Sequence, residues 1–291
     1  MIPPHRLPFR IIPRRALEDG IIFLVIELVY VDPSGTIPIS LTGKFCRMNC
    51  AHCGGHYLSH MKTLQEMDRL AKEGHRSFLI SGGLEKDFLV PFKRHLNQLR
   101  HLKETYELSY NFHVGFPQSP IQELEGLADV VSFDFFANSE VMEIVYGFSV
   151  EPGKILDAVT RTKVFAVPHI TVGILEGHIS HEYEALKMLS ELFNTVVLNV
   201  FVPTPGTRFS QALPPDLSQV KELFSYAAEN FENIILGCMQ PRGEYRRSLQ
   251  QSVKDFVSVI VKPAFKVDFD FKGCCALWLA KSRVEVVKHV R

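Results

Sequence analysis

The chain has 291 residues, with 32 Lys and Arg against 32 Asp and Glu, so its formal net charge is zero. That balance excludes a phosphate-tracking nucleic-acid surface, which needs clustered excess positive charge. A hydrophobic content of 46% supplies a full core and excludes a disordered chain.

Residues 1–36 read as a lead-in. Their apolar stretch, 21–31, is 11 residues long and contains Glu27, whereas a membrane span needs about 20. Arg14 and Arg15 precede it, but no small-residue cleavage site follows. A buried strand or short helix in a cytoplasmic protein without membrane association is the expectation. From residue 37 the pattern alternates strand and helix. Strands are predicted at 37–42, 77–81, 107–113, 129–135, 164–172, 196–202, 233–236 and 257–261, with helical periodicity at 58–72, 87–103, 181–193 and 217–230. Repeated βα units predict a parallel sheet with right-handed crossovers. About eight units in roughly 250 residues is the size of a βα barrel, closed or partial, with a doubly wound open sheet as the alternative. Either way ligands sit at the carboxyl ends of the strands. The barrel is assigned to 37–262, and 263–291 to a tail packed on it.

Six cysteines in a chain of this length are too sparse for a disulfide scaffold. Cys46, Cys50 and Cys53 fall in one loop directly after the first barrel strand, at spacings of four and three. Three thiolates on one irregular loop suit zinc, with His52 or His56 as a fourth ligand, or an iron–sulfur cluster with one metal position left open.

This CxxxCxxC loop after the first strand of a βα barrel resembles the radical S-adenosylmethionine (radical SAM) superfamily. The resemblance implies a [4Fe–4S] cluster held by Cys46, Cys50 and Cys53. It also implies SAM chelated at the fourth iron, and cleavage of SAM to a radical that takes hydrogen from an unactivated carbon. Where the family usually carries an aromatic before the third cysteine, this chain has His52. Further segments match in order. Gly82 and Gly83 follow the second strand, like the family's glycine pair at the SAM amino group, although Leu84 separates them from Glu85. A tight strand–helix turn is the plain reading of these glycines. Ser132 and Asp134 end the fourth strand, where biotin-synthase-like enzymes contact SAM; a helix cap is the plain alternative. Gly173 begins a glycine-containing segment resembling the one packed on adenine, and 201–207 resembles the proline-rich turn after strand six.

Cys238 follows the seventh strand, and Cys274 and Cys275 lie in the tail. They are either buried small hydrophobes or, as biotin and lipoyl synthases imply, ligands of a second, auxiliary cluster, with Arg242 or Ser248 nearby. Arg242 is also a candidate for the SAM carboxylate. The pattern from Ser40 through Met61 looks close to a biotin-synthase-like group that includes two-subunit lipoyl synthases. That resemblance implies a homologous partner subunit, sulfur insertion into an octanoylated carrier protein, and an electron donor such as ferredoxin or flavodoxin. The 22 Phe residues suit an apolar channel for such a chain, or a plain core. The alternatives are a single-cluster radical SAM enzyme of another reaction type and a non-catalytic metal-binding interaction protein. His56 and His60 stand four apart, and His113, His169, His178 and His181 fall near strand ends as candidates to line a substrate cavity.

Overall fold

Neighbouring positions along a β-strand face opposite sides of the sheet, and in this chain the two sides lead to two separate cores. The computed structural model describes residues 5–6 and 28–289. Its strands are β1 (Val29–Asp32), β2 (Ile37–Ser40), β3 (Lys62–Thr63), β4 (Ser77–Ser81), β5 (Ser109–His113), β6 (Val130–Asp134), β7 (Ala166–Val172), β8 (Thr195–Val200), β9 (Asn233–Leu236), β10 (Val259–Val261) and β11 (Phe271–Lys272). They form one sheet of order β11-β1-β10-β9-β8-β7-β6-β5-β4-β2-β3, every pair parallel. The helices are α1 (Leu64–Lys72), α2 (Leu96–Tyr106), α3 (Ser139–Tyr146), α4 (Pro152–Thr160), α5 (Glu182–Ser190), α6 (Leu217–Asn230), α7 (Glu244–Val253) and α8 (Cys275–His289).

The first strand of the barrel is in effect split. β1 and β2 stand toward opposite ends of the strand order, yet only residues 33–36 separate them. A chain advances at most about 3.6 Å per residue, so the sheet has to curl until those two strands approach each other. The β11 segment backs the junction: the Gly273 N–H donates to the Asp32 carbonyl at 2.8 Å, and the Cys274 N–H to Thr36 Oγ1 at 2.7 Å. Among the described residues no ladder joins β3 to β11. The architecture is therefore a strongly curled, barrel-like α/β sheet, as the alternating pattern predicts.

The outward-facing positions, including Phe78, Phe112, Val131 and Phe133, are 0–1% exposed and pack with α1 to α7 in the larger core. Most of the fully buried Phe side chains belong to this layer. Among the described residues the fully buried Phe side chains thus build a plain core. The inward-facing Val29, Val130, Val167, Val197, Ile235 and Val259 form a second core with Ala276, Leu277, Leu279 and Ala280 of α8. The segment after residue 262 thus places its helix on the concave side of the sheet.

All eight predicted strands are present within a few residues. The expected helix 58–72 instead begins at Leu64, because Thr63 and Glu66 close a capping box there; His56–His60 form a 3₁₀ turn. The expected helix 87–103 begins only at Leu96, after Pro91 and a 3₁₀ turn, since the residue before a proline is disfavoured in helix. Of the apolar stretch 21–31, residues 21–27 lie outside the described residues, as do Arg14 and Arg15; Val29–Val31 belong to β1.

Leu279 is 0% exposed within the inner core. Leu279→Ala is expected to cost about 2–5 kcal/mol, read as a lowered urea midpoint with unchanged slope.

Candidate active site

The segment between β2 and β3 carries Cys46, Cys50 and Cys53 across the carboxyl ends of the strands. The Arg47 N–H donates to the Leu84 carbonyl beyond β4 at 3.3 Å, and the Ala51 N–H to the Val145 carbonyl near the end of α3 at 2.7 Å. The Phe209 N–H, in the connection after β8, donates to the Ala51 carbonyl at 3.0 Å. Tyr57 Oη meets Thr204 Oγ1 at 3.3 Å. The loop therefore spans the barrel mouth from the β4 side to the β8 side.

Gly82 and Gly83 form its seat. A Cβ on Gly83 would lie 2.2 Å from the Phe45 carbonyl oxygen and 2.5 Å from Cys46 Cα, so only glycine lets β4 approach this closely. The Gly83 N–H donates to Thr42 Oγ1 at 2.7 Å. In the sequence Thr42 stands out only as part of the Ser40–Met61 pattern; its place just beyond β2 is the signal for its role here.

Cys46, Cys50 and Cys53 are all free thiols, with Cys50 buried. A hydrogen bond from Cys50 pushes the Cys53 pKa down against the effect of burial, and His52 adds to the lowering. The same bond, with burial, pushes the Cys50 pKa up. His52 packs edge-on against Tyr146, ring centroids 5.1 Å apart, and its buried Nδ1 has no partner. Among the described residues no three His, Cys, Asp or Glu side chains close around a single ion. A donor set of three thiols on one loop fits an iron–sulfur cluster, whose ligands sit on separate irons, better than one zinc.

Below the loop, the inner wall turns polar. His113 Nε2 on β5 stands 3.2 Å from Asp134 Oδ1 on β6. The His113 and His169 rings are 5.0 Å apart, and Asp134 and His169 are register partners between β6 and β7. Burial would lower the His113 pKa, but the Asp134 carboxylate outweighs it and the net shift is upward. Burial correspondingly opposes ionisation of Asp134, yet His113 holds its pKa low. Burial, helped by the charge on His113, pushes the His169 pKa down to about 3. Tyr146 feels Asp134, Cys50 and Cys53 alike, which places this polar group close under the cysteine loop.

Ser132 lies deeper. It is 0% exposed, and its hydroxyl donates to Asn111 Oδ1 at 3.0 Å. Asn111 Nδ2 in turn donates to Cys274 Sγ at 3.2 Å. Asn111 escaped the sequence reading, although it stands two positions before His113 and so shares its face. Cys274 precedes α8, with its carbonyl accepting from Trp278 N–H at 3.0 Å. Its pKa is pushed down by a hydrogen bond from Cys275, against burial, with help from Asn111 and the backbone N–H groups of Leu277 and Ala276. The Cys275 pKa is pushed up by that bond and by burial. The Cys238 side chain keeps exposed surface; desolvation by the surrounding protein raises its pKa, and the charge on Cys274 adds to the rise. Cys238, Cys274 and Cys275 are thus brought within electrostatic reach of one another.

The remaining candidates scatter. Gly173, at φ 71°, donates to the buried carboxylate of Glu182 at 2.7 Å and packs against Pro215. Its turn is fixed from below by Glu182, a residue the sequence reading did not single out. Arg242 is exposed beside Arg246, whose Nη2 donates to the Gln240 carbonyl at 3.0 Å. His56 and His60 share the 3₁₀ turn with rings 5.4 Å apart. His178 is exposed. His181 is 1% exposed, stacked on Phe136 at 3.9 Å and accepting from the Ala137 N–H at 3.4 Å, so it is a core histidine.

No family model and no curated protein sequence matches the chain. Among solved structures, methylornithine synthase (PylB) superposes with TM-score 0.56 at 12% identity, over 89% of this chain and 82% of its own. The N-terminal domain of a putative aldolase from Bacteroides vulgatus gives TM-score 0.45 at 10% identity, over 90% and 88%. Hydroxymethylglutaryl-CoA lyase from Pseudomonas aeruginosa gives 0.44 at 11%, over 79% and 76%. At these identities the likeness to methylornithine synthase is one of fold. No helix among the described residues is long and apolar enough to cross a membrane.

Two outcomes follow from this geometry. Gly83→Ala should push the cysteine loop off β4 and lose at least half of the iron taken up on reconstitution, while the far-ultraviolet dichroism stays unchanged. His181 is buried neutral with its pKa pushed down to about 3 from an ordinary 6.5. Its stabilisation is therefore complete above about pH 6.5 and lost as pH falls toward 3, where the unfolded chain binds the proton first. In urea titrations at pH 7 and pH 4, His181→Gln should show a smaller acid-induced drop in midpoint than the parent.

Proposed function

We propose that the chain is a radical SAM enzyme, with Cys46, Cys50 and Cys53 as ligands of a [4Fe–4S] cluster. The observation that carries this reading is the cysteine loop seated on Gly82–Gly83 across the mouth of a curled parallel sheet, with Asp134 below it. The fold likeness to methylornithine synthase supports it. When bound, the cluster and SAM would supply an organic radical able to take hydrogen from an unactivated carbon. The chain's own share is positional. Gly83 leaves room for the cysteine loop, Asp134 offers a carboxylate held ionised by His113, and Tyr146 with Phe209 closes the mouth from two sides.

The finer reading is sulfur insertion into an octanoyl chain on a carrier protein, in concert with a homologous partner subunit and an electron donor of the ferredoxin or flavodoxin kind. Its support is the grouping of Cys238, Cys274 and Cys275 at the inner end of α8, a thiol set suited to an auxiliary cluster. The polar inner wall favours a second reading, a single-cluster enzyme acting on a polar small molecule.

Anaerobic reconstitution separates these. Sulfur insertion predicts about eight irons per chain, and about four after Cys46, Cys50 and Cys53 are all changed to Ala. About four falling to none leaves the single-cluster enzyme. Cys46→Ala should abolish SAM cleavage under both. Cys274→Ala should keep cleavage and stop sulfur transfer to an octanoylated carrier peptide only under the first. A wild type that binds neither iron nor SAM would sink the enzyme reading altogether.

A further inference from the structure

The upper inner wall holds unmet hydrogen-bonding capacity on His113 Nε2, which faces Asp134 only as an ion pair, and above all on His169. Both ring nitrogens of His169 are buried and have no hydrogen-bond partner. An imidazole with its pKa pushed down to about 3 is neutral, so it presents one N–H donor and one bare acceptor. Leaving both unmet forfeits the hydrogen bonds that water would supply to the exposed ring, a penalty that a ligand or trapped water removes. His113 and Asp134 do not meet the need, because their charges compensate each other across 3.2 Å. Space exists beside them: the side chains of His113 and Asp134 keep 26% and 31% of their accessible surface, although cysteine loop, strands and α8 enclose them. Neighbouring inward positions Thr171 and Asn199, register partners on β7 and β8, extend the same polar wall.

We propose that His169, flanked by the His113–Asp134 pair, binds a neutral group of the substrate that both donates and accepts a hydrogen bond, an amide or hydroxyl. An anionic group is disfavoured because the Asp134 carboxylate already stands beside His169 as its register partner. A purely apolar chain is disfavoured because it would leave both His169 nitrogens unpaired. This assignment deepens the reading of the barrel mouth as the reaction site and rests on it for the word substrate; the binding itself does not depend on that reading.

The test uses reconstituted protein labelled with [¹⁵N]histidine and three probes of similar size: butyramide, sodium butyrate and diethyl ether. Butyramide should shift the His169 ring resonances saturably, with butyrate and the ether at least tenfold weaker. His169→Phe should weaken butyramide binding at least tenfold, and His169→Gln, which keeps a donor and an acceptor, should stay within about threefold of the parent. Equal binding of butyrate or the ether, unchanged binding by His169→Phe, or no saturable shift from any probe each overturns the proposal. SAM binding is measured on the same samples and on the Cys46, Cys50, Cys53 triple alanine variant. Loss of SAM affinity in the wild type with butyramide binding retained would defeat the radical SAM reading and leave this site standing.

Discussion

Burial of α8 against the concave face of the sheet is the constraint on which the rest of the structure depends. A parallel sheet of this kind has apolar residues on both faces, and helices α1 to α7 can cover only the outer one. The inner valines of β1, β6, β7, β8 and β10, with Ile235 of β9, would line a wet lumen without Leu277 and Leu279. Filling the lower lumen with a helix also fixes where the chemistry can occur. The space left is at the carboxyl ends of the strands, and the start of α8 forms its floor.

That placement has an electrostatic consequence. The beginning of a helix carries unpaired N–H groups and the positive end of its dipole, and here it is directed toward a group of thiols. Cys274 uses those N–H groups and Asn111 to hold its pKa low in a buried setting. The leading lowering contributions at Cys274 thus come from neutral donors, the Cys275 thiol, the Asn111 amide and two backbone N–H groups. The same logic operates at the mouth, where Cys53 gains its acidity from Cys50 and His52.

Between these two thiol groups lies the layer of His113, Asp134 and His169. Its polarity does not suit an apolar channel, and the buried phenylalanines that suggested one pack mainly on the other side of the sheet. Period two explains both facts at once. Phe112 and Phe133 alternate with His113 and Asp134 along β5 and β6, so the strands that supply the aromatic core also supply the polar wall.

The sequence by itself determined the strand pattern, the parallel α/β class and the position of the cysteine loop after the first barrel strand, because these rest on local periodicity and spacing. It also marked Gly82 and Gly83 as a turn or cofactor contact, while the tight fit of Gly83 against Phe45 and Cys46 depends on a loop some 40 residues away. Only the tertiary structure decided that α8 enters the barrel, that Cys238 comes near Cys274, that Ser132 is locked beneath Asp134 by Asn111, and that His181 is core while His169 is left unpaired. Each of these depends on which strands become neighbours when the sheet curls, and no local signal in the chain encodes that arrangement.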